Sequence, residues 1–221
     1  MEGLNPDQEG RYTARLLRRA RLAEWAVEVE LERPKGFVFT AGQSIRLFVG
    51  GQGRDYSMAS GPSGATLSFY VRIVEGGSVS PVLAGAPIGT PFSFAGPHGV
   101  FVLRQSPRPV VWAATGVGVA PFLSMVRAGA TGFTLLHGVR RSGDLIHGDE
   151  LGAAAACYVP CLSRKAPKGC FPGRVTGWAG VILVPGRYDF YLCGNRQMIR
   201  DFILLVDERF PDSHVYTEIF F

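Results

Sequence analysis

Between residues 11 and 103 apolar and polar positions alternate in short runs. Ala26-Val27-Glu28-Val29-Glu30-Leu31 alternates with period two; Ile45-Arg46-Leu47-Phe48-Val49 and Leu67-Ser68-Phe69-Tyr70-Val71-Arg72-Ile73 do so less strictly. Successive side chains of a strand point to opposite faces, so these runs read as strands with one face on a core and the other in water. Gly50-Gly51-Gln52-Gly53 and Gly61-Pro62-Ser63-Gly64 interrupt them. Several short strands at regular spacing predict a small antiparallel barrel or sandwich.

The pattern changes after Ser106-Pro107-Arg108-Pro109. Val110-Val111-Trp112-Ala113-Ala114 is a continuous apolar run, followed by a glycine-rich turn and a helix predicted from Pro121 to Arg127. Phe133-Thr134-Leu135-Leu136-His137-Gly138 and Tyr188-Asp189-Phe190-Tyr191-Leu192-Cys193-Gly194 are further apolar strands, and Arg196 to Phe210 has helical spacing through Met198, Phe202, Leu205 and Val206. Apolar strands alternating with helices predict a parallel α/β sheet. The expected organisation is therefore two domains, an antiparallel Greek-key β-barrel over residues 1–106 and a parallel α/β domain over 107–221. Ligands of such sheets sit beyond the carboxyl ends of the strands, at a switch point in strand order.

Composition narrows the class. The 221 residues are 47% hydrophobic and 19% charged, enough for a sizeable core and against wholesale disorder. The net charge of +5 suits an acidic partner, whether nucleic acid or an acidic electron-transfer protein. The local cluster Arg15, Arg18, Arg19 and Arg21 has no interleaved aromatic residues, so it reads as the wet face of a strand or turn, not as a nucleic-acid platform. Cys157, Cys161, Cys170 and Cys193 all lie in the last third, which argues against a disulfide scaffold, and the Cys157-x3-Cys161-x8-Cys170 spacing matches neither a structural zinc site nor a plant-type [2Fe–2S] site. No metal is expected. The N-terminal MEGLNPDQEG has neither basic nor apolar signal-peptide regions, and the uncharged stretch from Pro109 to Val126 is broken by Thr115, Gly116, Gly118 and Pro121, so no membrane span is expected. The expectation is a soluble cytoplasmic protein in a reducing compartment.

Five segments carry candidate chemistry. Arg54-Asp55-Tyr56-Ser57 follows a glycine-rich turn. Tyr70-Val71-Arg72-Ile73 leads into Gly76-Gly77-Ser78-Val79-Ser80, where backbone N–H groups at a helix start suit an anion. Thr115-Gly116-Val117-Gly118-Val119-Ala120-Pro121 follows a strand and opens a helix; its glycines permit a tight turn, and the helix N-terminus attracts a pyrophosphate. Gly138-Val139-Arg140, Ser163-Arg164 and Gly173-Arg174-Val175 place arginines after strands, where a ribose 2′-phosphate would be met, and no acid that would prefer a free 2′-hydroxyl occurs until Asp144. Cys193-Gly194-Asn195 ends a strand before a helix. Taken singly, each also fits a blander reading: a salt-bridged strand, an ordinary βα turn, an exposed basic loop or a small buried cysteine.

Together, and in this order, the segments resemble the ferredoxin–NADP reductase family, from the first strand to the last residue. The R-x-Y-[ST] pattern is similar to the family's flavin signature, Thr115 to Pro121 to its G-T-G-[IV]-A-P element, and Cys193-Gly194-Asn195-Arg196-Gln197-Met198 to its C-G-N-P-x-M element, with Arg196 in place of Pro. The resemblance implies FAD in the barrel and NADP(H) in the α/β domain. It implies that Arg54 pairs with the flavin pyrophosphate, that Tyr56 stacks on the isoalloxazine, and that Ser57 approaches the hydride-accepting nitrogen. Tyr70, Val71, Arg72 and the turn Gly77, Ser78, Val79 and Ser80 would lie against the flavin diphosphate. Thr115, Gly116, Val117, Gly118 and Pro121 would hold the nucleotide phosphates, and Arg140, Ser163, Arg164 and Arg174 the 2′-phosphate. Cys193, Gly194 and Asn195 would seat the nicotinamide, Phe220 or Phe221 would cover the second flavin face, and Glu218 would be linked to proton delivery. Gly96-Pro97-His98-Gly99-Val100-Phe101 is assigned a turn role, and Asp144, Asp149 and Glu150 capping roles. The implied activity is hydride transfer between NADP(H) and FAD and electron transfer to a ferredoxin- or flavodoxin-type carrier. An NADH-dependent reductase component serving an oxygenase, a flavin-binding subunit without turnover, and FMN in place of FAD all stay open, as do the carrier and the oligomeric state.

Overall fold

A computed structural model of the chain describes residues 10–220. By packing, the chain divides into two compact units: Met1–Leu103 with Ala120–Ala128, and Arg104–Val119 with Gly129–Phe221.

The first unit is built on six antiparallel strands: β1 (Arg11–Ala23), β2 (Ala26–Glu32), β3 (Ser44–Val49), β4 (Gln52–Ser57), β5 (Thr66–Arg72) and β6 (Pro91–His98). Their order is β4-β3-β6-β1-β2-β5. The alternation read from the sequence is the alternation of burial. Val27, Val29 and Leu31 of β2, Leu67, Phe69 and Val71 of β5, and Ile45 and Leu47 of β3 enter one core with Phe37, Phe92 and Phe94. The sheet curls like a barrel but does not close. Its end strands β4 and β5 meet through the Met58–Phe69 bridge and the hydrogen bond from the Ala59 N–H to the Ser68 carbonyl (2.8 Å). A short helix α1 (Ser80–Gly85) follows β5.

The arginine cluster lies on β1, but not on one face: the consecutive Arg18 and Arg19 pair with Glu30 and Val29 and so point to opposite sides of the strand. Arg18 bridges Glu28 (2.5 Å) and Glu30 (2.7 Å) on β2, and Arg19 donates to the Ala86 carbonyl (2.7 Å). Of the segment Gly96 to Phe101, expected to be a turn, Gly96, Pro97 and His98 are instead the end of β6, and the chain leaves the sheet only after them. A register shift lets Ser44 pair with His98 and Arg46 with Ala95, so a Gly-Pro pair that reads as a turn is absorbed in a bulge.

The second unit holds a six-stranded parallel sheet in the order β10-β9-β8-β7-β11-β12, from β7 (Val110–Thr115), β8 (Thr134–Val139), β9 (Cys157–Leu162), β10 (Phe171–Pro172), β11 (Asp189–Asn195) and β12 (His214–Phe220). Three of these strands match apolar runs. β9, β10 and β12 escaped the sequence reading because Pro160, Pro172, Thr217 and Glu218 interrupt their apolar character. Helices α3 (Gly148–Ala154), α4 (Val175–Val181) and α5 (Arg196–Arg209) complete the unit. Phe202 and Val206 of α5 and Val175 and Ala179 of α4 cover the sheet through Phe190, Leu192, Leu136 and Val159. Burial of each large side chain there contributes about 1.5–3 kcal/mol.

Helix α2 (Ala120–Arg127) follows the glycine turn as expected, starting one residue early. Sequence continuity assigned it to the second domain; its side chains pack it into the first unit. Phe122 meets Phe101 edge-on, the Ser124 hydroxyl donates to the Ser60 carbonyl (2.7 Å), and Arg127 donates to the Ala59 carbonyl (3.1 Å). None of the described helices is long and apolar enough to cross a membrane.

Candidate functional site

In the first unit the seam between β4 and β5 gathers the flavin candidates. Arg54 is exposed on β4, and Tyr56 is half-buried against the core. Burial pushes the Tyr56 phenol up to about 12, so it stays protonated at neutral pH. Ser57 is buried at the end of β4. Across the seam Arg72 is exposed on β5. At the far end Ser78 donates to Gln52 Oε1 (2.5 Å), so the gap is bridged there as it is at Met58–Phe69. Two exposed guanidinium groups and an aromatic ring beside an unclosed seam fit a dianionic pyrophosphate and a planar ring. Other candidates reach the seam only through their backbone. The side chains of Val71 and Val79 belong to the core cluster, and Tyr70 is 4% exposed. Ser80 Oγ accepts the Val74 N–H (3.1 Å), which closes the glycine turn on itself. Asp55, not singled out from sequence, sits between Arg46 (3.4 Å) and His98 (3.3 Å), an acid that β-pairing brings to a histidine distant in sequence.

In the second unit the chain runs from β7 through β8 and β9 to β10 on one side, then returns to β11 and β12 on the other. The switch point lies between β7 and β11, where Thr115–Gly118 and Cys193–Asn195 emerge together. The two segments are in contact: Thr115 Oγ1 accepts the Asn195 N–H (2.9 Å). A Cβ on Gly118 would stand 2.5 Å from the Cys193 carbonyl oxygen, and one on Gly194 would strike Thr115. Gly194 also has φ +132°, which side chains rarely adopt. The glycines are thus required by close backbone approach. Asn195 has a further role: its Oδ1 accepts the N–H groups of Gln197 (2.9 Å) and Met198 (3.3 Å), capping α5.

Strand register assembles a row no sequence motif announces. Cys193 pairs with Glu218 on one side and Ala114 on the other, and Ala114 pairs with His137. All four lie on one face. Cys193 is fully buried; desolvation, then the neighbouring Glu218, holds its thiol well above the usual range. Its sulfur is therefore a neutral thiol. His137 is also fully buried, Nδ1 lies 2.9 Å from the Tyr158 hydroxyl, and Nε2 has no hydrogen-bond partner among the described residues. Burial pushes this imidazole down to about 4. Of the aromatic candidates at the C-terminal end, Phe220 closes β12 and is half-buried, whereas Phe221 lies outside the described residues.

At the carboxyl ends of β8 and β9, Arg140, Ser163, Arg164, Lys165, Gly173 and Arg174 line a polar cleft of about 760 Å³. The loop is held by the Ser163 N–H on the Val139 carbonyl (3.1 Å) and the Arg164 N–H on the Arg140 carbonyl (3.2 Å). Four cations around one opening fit a phosphate dianion. Lys165, not singled out from the sequence, lines the same cleft as its neighbour Arg164. Pro121 is buried in α2, which packs in the first unit. Asp144 accepts the Arg141 N–H (3.1 Å), and Asp149 and Glu150 stand in the first turn of α3, where acids complement the helix dipole.

Residues 25–103 match the oxidoreductase FAD-binding domain family. The chain is 38% identical over 174 residues to ferredoxin–NADP reductase B of Sorangium cellulosum, covering 71% of each protein. It is 32% identical over 211 residues to the toluate 1,2-dioxygenase electron transfer component of Pseudomonas putida, covering 87% of this chain but only 62% of that relative. A ferredoxin NADP+ reductase from Neisseria gonorrhoeae, solved with bound FAD and NADP, has the same fold, with a TM-score of 0.84 at 24% identity over 96% of this chain and 99% of that one. A barrel-like module matching an FAD-binding domain, followed by a parallel α/β sheet, defines a flavin-dependent oxidoreductase. The chain belongs to the ferredoxin–NADP reductase family.

Proposed function

We propose that the protein oxidises NADPH through FAD and passes the electrons singly to a small carrier protein: NADPH and two oxidised carriers give NADP+, a proton and two reduced carriers. The observation that carries the nucleotide choice is the cleft with Arg140, Arg164, Lys165 and Arg174 beside Ser163. Guanidinium forks bind a 2′-phosphate in a charge-assisted, often bidentate way, and no carboxylate that would favour a free 2′-hydroxyl lines the cleft.

FAD, when bound, accepts the hydride and releases single electrons. The chain's own residues bind and orient. Arg54 and Arg72 face the pyrophosphate, Tyr56 offers its protonated phenol ring for stacking, and Ser57 stands next to it at the strand end. The amides of Gly77 to Ser80 add donors. In the second unit Thr115 to Gly118 receive the nucleotide phosphates at the switch point. Cys193, Gly194 and Asn195 seat the nicotinamide, the glycine letting the backbone of the two turns come close there. Glu218, directly across from Cys193, is placed to exchange protons with solvent, and Phe220 stacks on the ring's free face.

The test is the visible spectrum of the purified protein before and after anaerobic NADPH or NADH. A yellow protein bleached at lower NADPH than NADH is expected. Arg164→Ala or Arg174→Ala should each raise KM for NADPH by about 10- to 100-fold, the worth of a charged hydrogen bond, while leaving NADH nearly unchanged. A colourless protein that takes up no FAD would sink the proposal. The names of several relatives, dioxygenase and monooxygenase electron transfer or reductase components, favour a second reading, a reductase component serving an oxygenase, here taken with NADH as its donor. Bleaching by NADH alone would select it.

A further inference from the structure

Gln52 opens β4 and belongs to none of the five candidate segments. Its backbone is fixed by a tight hairpin: Val49 pairs with Gln52 across Gly50 and Gly51, whose φ values of 56° and 78° are those a two-residue turn between twisted strands needs. Side chains alternate along a strand, so Gln52 shares a face with Arg54 and Tyr56.

Across the seam stands a turn that is closed on itself. The Gly77 N–H donates to the Val74 carbonyl (3.0 Å), and the Val74 N–H donates to Ser80 Oγ (3.1 Å). The Ser78 hydroxyl reaches out of this turn and donates to Gln52 Oε1 (2.5 Å). Both side chains are exposed, where a hydrogen bond competes with water and adds little to folding. What the bond fixes is a distance. The seam between β4 and β5 is tied at one end by the Met58–Phe69 bridge and at the other by Gln52 and Ser78. At about 3.3 Å per residue the two ties stand roughly 20 Å apart along β4, with Arg54 and Tyr56 between them. A gap tied at both ends has a set width, whereas one tied at a single end can splay.

We propose that Gln52 is a positioning residue for the flavin: through Ser78 it holds the turn from Gly77 to Ser80 at the span from β4 that the pyrophosphate bridges. The inference rests on the flavin reading of the seam. A span set in advance spares binding part of its ordering cost. The phosphates depend on that span; the flavin ring, which meets Tyr56 between the ties, does not.

The full chain, freed of flavin, is titrated by flavin fluorescence with FAD and with riboflavin, which has the ring but no phosphate. Gln52→Ala and Ser78→Ala should each weaken FAD about fivefold to tenfold, the worth of one neutral hydrogen bond, and leave riboflavin within about twofold. The double variant should bind FAD no more weakly than the weaker single variant, because both substitutions cut one bond. Ser78→Thr, which keeps the hydroxyl, should stay within about twofold of the wild type. An unchanged Tm of the flavin-free variants shows that each is folded. Unchanged FAD affinity in both alanine variants overturns the role of Gln52. Equal losses for FAD and riboflavin, or losses that multiply in the double variant, overturn it too, and each of these results leaves the flavin reading standing. A wild type that takes up neither FAD nor riboflavin sinks the flavin reading, and this proposal with it.

Discussion

His137 and Cys193 stand in one row, two strands apart, and burial acts on them in opposite directions. For His137 the folded imidazole titrates at about 4, below the ordinary 6.5. Between those values the unfolded chain binds the proton and the folded one does not, so stability rises with pH. The contribution is complete above about pH 6.5 and is lost as pH falls toward 4, up to about 3 kcal/mol. Denaturant midpoints compared at pH 7 and pH 5 should show this loss in the wild type and a smaller one in His137→Gln; equal losses would remove the assignment. For Cys193 the outcome is chemical silence. A fully buried neutral thiol should resist a thiol-specific dye until the protein unfolds, as should Cys161, whose thiol burial raises to about 12. Cys157, which is exposed, should react at once. Rapid native labelling of Cys193, located by mass spectrometry, would contradict the buried assignment.

At the scale of elements, the switch point is a contact between two turns, and glycine is what lets them touch. Gly118→Ala would drive a methyl group against the Cys193 carbonyl; overpacking of this kind costs about 1–3 kcal/mol, and Tm should fall by several degrees. Asn195→Ala removes the cap of α5 and should cost about 1 kcal/mol, whereas Asn195→Asp should retain the cap. Arg196→Pro, which restores the family's residue at a favoured first helical position, should leave stability unchanged or raised. The sequence showed that a turn was needed here, through two glycines after a strand. It did not show which turn would face it, because Cys193 lies 75 residues beyond Gly118 and only parallel pairing joins them.

Across the whole molecule, the segment leading into the second sheet is tied down by side chains as well as by the chain. The Arg104 N–H donates to the Tyr191 hydroxyl (3.0 Å), its guanidinium lies over the Tyr216 ring (4.9 Å), and Tyr216 stacks on Tyr191 (4.6 Å). Lower on the same strands Asp189, 1% exposed, faces Arg108 (3.6 Å) and His214 (3.1 Å). A buried carboxylate that loses Arg108 keeps only His214, which carries charge only when protonated, whereas Arg108 and His214 are partly in water and lose less if the acid is removed. Arg108→Gln should therefore destabilise by about 2–3 kcal/mol and more than Asp189→Asn does, as read from urea midpoints. The reverse order would show that the pair is held mainly by solvent.

The sequence by itself determined the two architectures, the order of the five motifs and the identity of most candidate residues. Period-two alternation and apolar runs bounded by glycine and proline are local properties, and local properties can be read in order along a chain. Tertiary structure decided what those signals cannot encode. It set the register that aligns Glu218, Cys193, Ala114 and His137, the return of α2 to the first unit through Phe122 and Ser124, and the addition of Lys165 to the basic cleft. It also turned Val71 and Val79 into the core, away from the seam. Each of these depends on which distant strand pairs with which, and that is fixed by the burial of whole faces, not by the residues flanking any one position.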